Sequence, residues 1–275
     1  MFKNQNQTLD NVIAKVNFTH THVYALKRGE CWFTIEHDGV RLISQFLQMP
    51  SVLGWGANCA ANPQHYIGDY KFIKARQSDL IVEILKKFKA ATSRAPRHIV
   101  LYFSGISEGQ FSLVTDTYIR AIRTGIKSLS EAYNPNVTAL AVSKDHNERL
   151  YKSKIVGERA TDQNIPPGTV VDTKIVSPVI NEFYLNAHSA FQGTAKTPKY
   201  SLLADDSNIP LDVIESMTHG LCYLHEIVTS TVSVPVPLIV ADRCAKRGHN
   251  IFIANSSGPD SFKIFQKILA FSKVF

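Results

Sequence analysis

The chain has 275 residues, 44% of them hydrophobic, enough to bury one large core or two small ones and too apolar for an intrinsically disordered polypeptide. Thirty Lys and Arg against 23 Asp and Glu give a formal charge of +7, which favours an anionic partner, nucleic acid ahead of a membrane surface. Cys31, Cys59, Cys222 and Cys244 lie far apart without C-x-x-C or zinc spacing, which excludes a disulfide scaffold and reads as ordinary thiols in a reducing compartment. No apolar run reaches the length of a membrane span, and "MFKNQNQTLD" lacks the basic-then-apolar layout of a signal peptide, so the expectation is an intracellular protein, cytoplasmic or nuclear, with no membrane partner.

Taken in chain order, short β-branched or aromatic runs bounded by turn residues predict strands over Glu30–Ile35, Ser51–Ala57, Tyr66–Ile73, His98–Phe103 and Val137–Val142, which would make a main sheet of five. Between the third and fourth, "SDLIVEILKKFKAATS" places Leu80, Ile81, Ile84, Leu85 and Phe88 on one helical face, with Ser78 as its N-cap. After the fourth strand, Phe111, Val114, Tyr118, Ile122, Leu129 and Tyr133 recur at three- and four-residue spacing until Asn134–Pro135 stops the helix. The segment Lys152–Pro167 is polar and reads as a surface loop. Further strands follow over Val170–Val176, Glu182–Leu185 and Lys199–Ala204, then a helix with Leu211, Ile214, Met217, Leu221 and Leu224 on its buried stripe. A last helix follows "PVP", from about Pro237 to Lys246, and "SFKIFQKILAFSKVF" fits either a helix or a buried tail. The alternation predicts an α/β domain with a mixed sheet flanked by helices. There is no internal repeat, P-loop, G-x-G-x-x-G or nucleophile elbow.

Four blocks, "SGISEGQF", "TALAVSKDHNERLY", "PPGTVVDTKIVSPVINEFYLNAHSAFQGTAKTPKY" and "TVSVPVPLIVADRCAKRGHNIF", resemble consecutive signatures of the PIWI domain of Argonaute proteins, in family order and spacing over about Pro50 to Phe252. The stretch "GWGANCAANPQHYIGDYKFIKARQSDL" is most similar to the worm-specific (nematode) branch. The resemblance implies a ribonuclease H-like α/β fold, a guide-RNA channel and, in cutting members, a metal site of four side chains. "TLDNVIAKVNF" resembles the end of the MID domain, so the implied organisation is a MID remnant and linker over 1–26 and a PIWI domain over 27–275, with PAZ, N-terminal and most of MID absent.

Cutting RNA with two divalent ions about 3.5–4 Å apart requires several carboxylates, because such ions are hard and prefer charged oxygen ligands. At the matching family positions an aspartate after the aromatic end of the fourth strand is replaced by Ser104, and a glutamate after "RQ" by Ser78. Asp79 is next door, but one helical step turns a side chain by about 100°. Counting back from Ser51 puts the first family aspartate on Asp38, and the fourth position falls on Asp242 in "LIVADRCAKRG". Each has a structural alternative: a turn before Gly39 for Asp38, and pairing with Arg243 or Arg247 for Asp242. Asp38 and Asp242 are thus read as remnants, with no cofactor expected and Mg²⁺ only if an altered site still cuts. His20 and His22 in "THTH" read as a polar strand face, and Asp205–Asp206 as turn caps.

A guide channel that accepts many sequences must rely on backbone contacts, since phosphates supply affinity without reading bases. Lys144, Arg149, His188, Gln192, Lys196, Ser233 and Arg247 fall on family positions along the guide, and Lys15 matches a MID lysine at the guide's 5′ phosphate. Lys196 stands where the family has arginine, keeping the charge but losing the bidentate fork. In place of the next family lysine stands "NFTHTH", which leaves the 5′ pocket incomplete. The leading expectation is a protein of small-RNA-guided gene silencing (RNA interference) that binds guide and target RNA, is cleavage-inactive and recruits silencing effector proteins. A guide-directed endoribonuclease with an altered metal site is the alternative from the enzyme class, and an interaction module without a guide is a third.

Overall fold

The structure is a computed structural model that describes residues 30–37, 52–72, 77–155 and 157–256. Its strands are β1 (Glu30–His37), β2 (Val52–Ala57), β3 (Ile67–Phe72), β4 (His98–Ser104), β5 (Asn136–Ser143), β6 (Thr169–Val171), β7 (Glu182–Asn186) and β8 (Lys199–Asp205). Its main helices are α1 (Gln77–Thr92), α2 (Arg120–Leu129), α3 (Leu211–Leu221) and α4 (Val236–Ser256). All eight strands join one sheet in the order β3-β2-β1-β4-β5-β8-β7-β6. The antiparallel meander β1-β2-β3 is followed by α1, which carries the chain back so that β4 lies parallel to β1; α2 likewise places β5 parallel to β4. Beyond β5 every pairing is antiparallel.

The central strand shows why the sequence demands this arrangement. Ile99, Leu101 and Phe103 of β4 are buried on one face with Leu53 and Trp55 of β2, Ile81 and Ile84 of α1, and Ile122 of α2. Val100 and Tyr102 are buried on the other with Leu140, Phe183, Tyr200, Ile214 and Leu238. A strand covered on both faces needs a continuous apolar run rather than an alternating one, and "HIVLYF" is such a run. Its buried hydroxyl is satisfied: Tyr102 Oη shares a 2.9 Å hydrogen bond with Thr218 Oγ1 of α3. Leaving it unpaired would cost about 1–3 kcal/mol.

At the end of β4, Gly105 takes a φ of 72°, where a side chain would be strained, and the chain turns into "ISEGQF". That motif folds as a 3₁₀ turn, Glu108–Gln110, in which the Ser107 N–H donates to Gln110 Oε1 at 3.2 Å. A single α-turn and a π-helical stretch, Val114–Ile119, then lead into α2. Glu108 pairs with Lys199 of β8, tying the turn to the neighbouring half of the sheet.

The seat of α4 is set by backbone contact. A Cβ at Gly54 of β2 would fall 2.0 Å from the carbonyl oxygen of Ala241 and 2.7 Å from the amide nitrogen of Ala245. Only glycine admits the helix at this distance. Gly248 does the same from the helix side, since a Cβ there would lie 2.4 Å from Tyr70 Cδ2 of β3.

Four expectations change. The strands expected outside the five-stranded sheet extend it to eight. The last helix runs on to Ser256, because Gly248, a helix breaker by propensity, is here the residue that fits against Tyr70. The second helix ends at Leu129, and Tyr133 instead packs from the following turn, its hydroxyl donating to Pro96 O at 2.7 Å. The sixth strand stops at Val171, shortly before Lys174 takes a φ of 63°. Among the described residues no helix is long and apolar enough to cross a membrane.

The glycine contact yields a direct test. Gly54→Ala should lower stability by about 1–3 kcal/mol, a fall of several degrees in Tm, as overpacking does. Gly109→Ala, where a Cβ would meet nothing within 4 Å, should leave thermal unfolding nearly unchanged. Equal melting curves for the two variants would mean that α4 does not rest on β2 as described.

Candidate functional site

Ser104 is the last residue of β4, and its register partner in β1 is Glu36, whose partner in β2 is Gly54. Register partners in adjacent strands face the same side of a sheet, so Ser104 lies on the α4 side, level with the glycine on which that helix rests. Ala241 sits over Gly54, and the next residue is Asp242. The fold therefore brings the Ser104 level of β4, the Glu36 position of β1 and the first turns of α4 to one place. Ser78 is the second residue of α1. Asp38, expected at the end of the first strand, lies outside the described residues, as do Lys15, His20 and His22. The acidic residue that the register places beside Ser104 is Glu36, two positions before Asp38.

Asp242 is held by neither arginine foreseen for it. Lys246, one turn on, donates to Asp242 Oδ2 at 2.6 Å. Among the described residues, no three His, Cys, Asp or Glu side chains come together in a metal-holding group. Asp205 and Asp206 act as turn and strand-end anchors. Asp205 accepts from Thr138 Oγ1 and the backbone N–H groups of Ser207 and Ile209, while Asp206 accepts from Arg123 and the Val137 N–H.

A second group of sequence-predicted residues gathers beyond the end of β5. Lys144 donates to Ser233 Oγ at 2.5 Å, joining the loop after β5 to the segment that opens α4. His188, after β7, is half-buried; burial and the neighbouring Lys144 charge both push its pKa below the ordinary imidazole value. Arg149 donates to the carbonyls of His146 and Glu148, and His146 Nε2 meets Thr197 O at 2.7 Å, so this arginine is fixed at the base of the loop between β7 and β8. Gln192 and Lys196 are exposed on that loop. Arg247 stands apart on α4, exposed, where Tyr70 and Cys244 feel its charge.

Two features of the loop were not foreseen. Asn164 pins it from below, its Nδ2 donating to Gly193 O and its Oδ1 accepting from the Ala195 N–H, both at 3.0 Å. Phe191, beside Gln192, is 88% exposed on the loop. Nothing local marks Asn164, because its partners lie 29 and 31 residues away. Glu36 could have been found by letting the first strand run two residues further.

The comparisons with known proteins decide the family. The Piwi domain family matches residues 1–252. The chain belongs to it. It is 34% identical over 210 residues to Argonaute protein wago-1 of Caenorhabditis elegans, covering 74% of this chain and 22% of that protein. It is 40% identical over 185 residues to protein argonaute 5 of Arabidopsis thaliana, covering 65% and 19% respectively. Other C. elegans relatives include Argonaute protein wago-4, at 31% identity over 251 residues, in keeping with the nematode branch of Argonautes. This Piwi-family chain spans about a fifth of the length of wago-1 and argonaute 5. Among solved structures it is similar to the C-terminal lobe of a budding yeast Argonaute, with a TM-score of 0.75 at 21% identity over 89% of this chain and 54% of that one. It is equally similar to Kluyveromyces polysporus Argonaute with a guide RNA, with a TM-score of 0.75 at 21% identity over 90% of this chain and 33% of that one. The fold is that of these lobes, a ribonuclease H-like α/β sheet flanked by helices.

The pH behaviour of His188 follows from its neighbours. A histidine whose neutral form is favoured both by burial and by an adjacent ammonium stays uncharged near neutral pH. Its imidazole should titrate below the ordinary value in an NMR experiment, and Lys144→Met should move the midpoint up. An unchanged midpoint would mean that Lys144 does not act on it.

Proposed function

We propose that this chain works in small-RNA-guided gene silencing, binding a guide RNA and its complementary target, and that it does so without cutting. The observation that carries the reading is Ser104 on the register row of Glu36 and Gly54, the level to which α4 brings Asp242. The fold family implies a pair of divalent ions here, and the residues do not fit them. Ser104 and Ser78 offer neutral hydroxyls in place of carboxylates, and Asp242 is already neutralised by Lys246. Two ions that must stabilise both the attacking and the leaving oxygen need more negative charge than this.

Binding is supported separately. Lys144, Ser233, His188 and Arg149 converge at the loop carrying Gln192 and Lys196, with two lysines and an arginine at the RNA-facing positions the sequence resemblance implies. Phosphate contacts of this kind give affinity without reading bases, as a channel for many guides requires. On this reading, residues 1–26 are the end of a MID domain and 27–275 the PIWI domain, and silencing acts through target pairing and recruited effector proteins. The guide RNA in the similar Kluyveromyces polysporus structure is consistent with such a partner. Asp242 is the observation behind the second reading, a guide-directed endoribonuclease with an altered divalent-metal site.

The deciding experiment gives the purified protein a guide, a matched end-labelled target, and Mg²⁺ or Mn²⁺. No cut is expected opposite the centre of the guide. A site-specific cut that vanishes in Asp242→Ala would overturn the non-cutting reading and establish the second. Ser104→Asp combined with Ser78→Glu should begin to recover divalent-metal binding, whereas either change alone should not. For the channel, Lys144→Ala, Arg149→Ala or Lys196→Ala should weaken binding about equally across RNA sequences and lower the salt slope by about one; sequence-selective loss would contradict phosphate contact.

A further inference from the structure

We infer that Lys246 is the resident cation of the remnant acidic site: its ammonium neutralises Asp242 and receives a phosphate of the bound RNA there, doing without a metal what divalent ions do in cutting relatives. The inference rests on the reading that the chain binds RNA.

The starting point is electrostatic. An acidic site emptied of divalent ions repels a nucleic-acid strand, so a chain that keeps the channel but loses metal chemistry must remove the negative charge or counter it. This chain does both. Ser78 and Ser104 remove it at two positions, and Lys246 counters Asp242 through the 2.6 Å ion pair.

The ion pair lies on the turn of α4 that rests on the register row of the site. Asp242 follows Ala241, whose carbonyl rests on Gly54, and Gly54 shares a register row with Glu36 and Ser104. Four residues make just over one helical turn, so Lys246 lies beside Asp242 on the same flank of α4. The carboxylate side chain is 34% exposed and the lysine 72%, so the acid lies deeper and the ammonium faces outward. An incoming strand meets the cation before the acid. Arg243 and Arg247 are exposed elsewhere on the same helix.

The chemistry suits a phosphodiester. An ammonium is a compact point charge with three N–H donors, able to hold a carboxylate and a phosphate oxygen at once. It cannot activate water for attack as a bound metal does. The same substitution that permits binding without metal therefore withholds cleavage.

The test measures binding of the full chain to a fluorescent guide–target RNA duplex in EDTA and in Mg²⁺ at matched ionic strength. Wild-type protein should bind equally well in both. Lys246→Ala should bind about three- to tenfold more weakly in EDTA, the scale of one lost phosphate contact plus an uncovered acid, and equally weakly in Mg²⁺, since the residues there do not fit a divalent ion. Lys246→Arg should stay near wild type, and Asp242→Asn combined with Lys246→Ala should bind better than Lys246→Ala alone; thermal unfolding of each variant checks that the fold is kept. Unchanged affinity of Lys246→Ala in EDTA would reduce the pair to an ordinary surface contact of a helix and overturn the inference while leaving RNA binding intact. Failure of the wild-type chain to bind the duplex at all would overturn the RNA reading and this inference together.

Discussion

The contact on which the rest of the molecule depends is that between α4 and the bare backbone of β2 at Gly54. With no side chain between them, the Ala241 carbonyl comes within 2.0 Å of where a Cβ would stand, which fixes both the height and the phase of the helix. Phase is what matters, because it sets Ala241 and Ala245 over the row formed by Gly54, Glu36 and Ser104, with Asp242 one residue on and its partner Lys246 exposed on the flank of the helix. The segment before the helix is fixed at the same time, and Ser233 in it meets Lys144 from the end of β5. One close packing contact thus orders the remnant acidic site and one wall of the proposed RNA path.

The two regions have diverged differently. Around the loop between β7 and β8, side chains from outside it pin the backbone: Asn164 holds two backbone groups of the loop and His146 a third, while Arg149 holds two carbonyls beside it. Such pinning lets a surface loop present Phe191, Gln192 and Lys196 with little ordering cost on binding. At the end of β4, by contrast, the strand, its turn and the helix beyond it form the frame, and a hydroxyl, Ser104, is the last side chain of the strand.

Much of this was legible in the sequence for physical reasons. Strands buried on both faces, such as "HIVLYF", announce themselves as unbroken apolar runs, and α1 carries a clear apolar stripe at Leu80, Ile81, Ile84, Leu85 and Phe88. What was not legible depends on distance. That β8, β7 and β6 extend the main sheet follows from pairings such as Val142 with Tyr200, between residues far apart in the chain. Gly248 looks like a helix stop until Tyr70 is seen against it. Asp242 pairs with Lys246 rather than with the arginines beside it, because a spacing of four is the one that helical geometry favours. Glu36 was missed because a strand end is set by its neighbour, here Ser104 of β4, and not by its own residues.

We propose that this chain keeps a guide channel and does without metal chemistry. The most direct test is to isolate the protein from its native cells under mild conditions and characterise the RNA that comes with it. The account predicts short RNAs of narrow length distribution, together with complementary longer transcripts that remain uncut across the paired region. Recovery of no short RNA, or of targets severed at one position within the pairing, would contradict it.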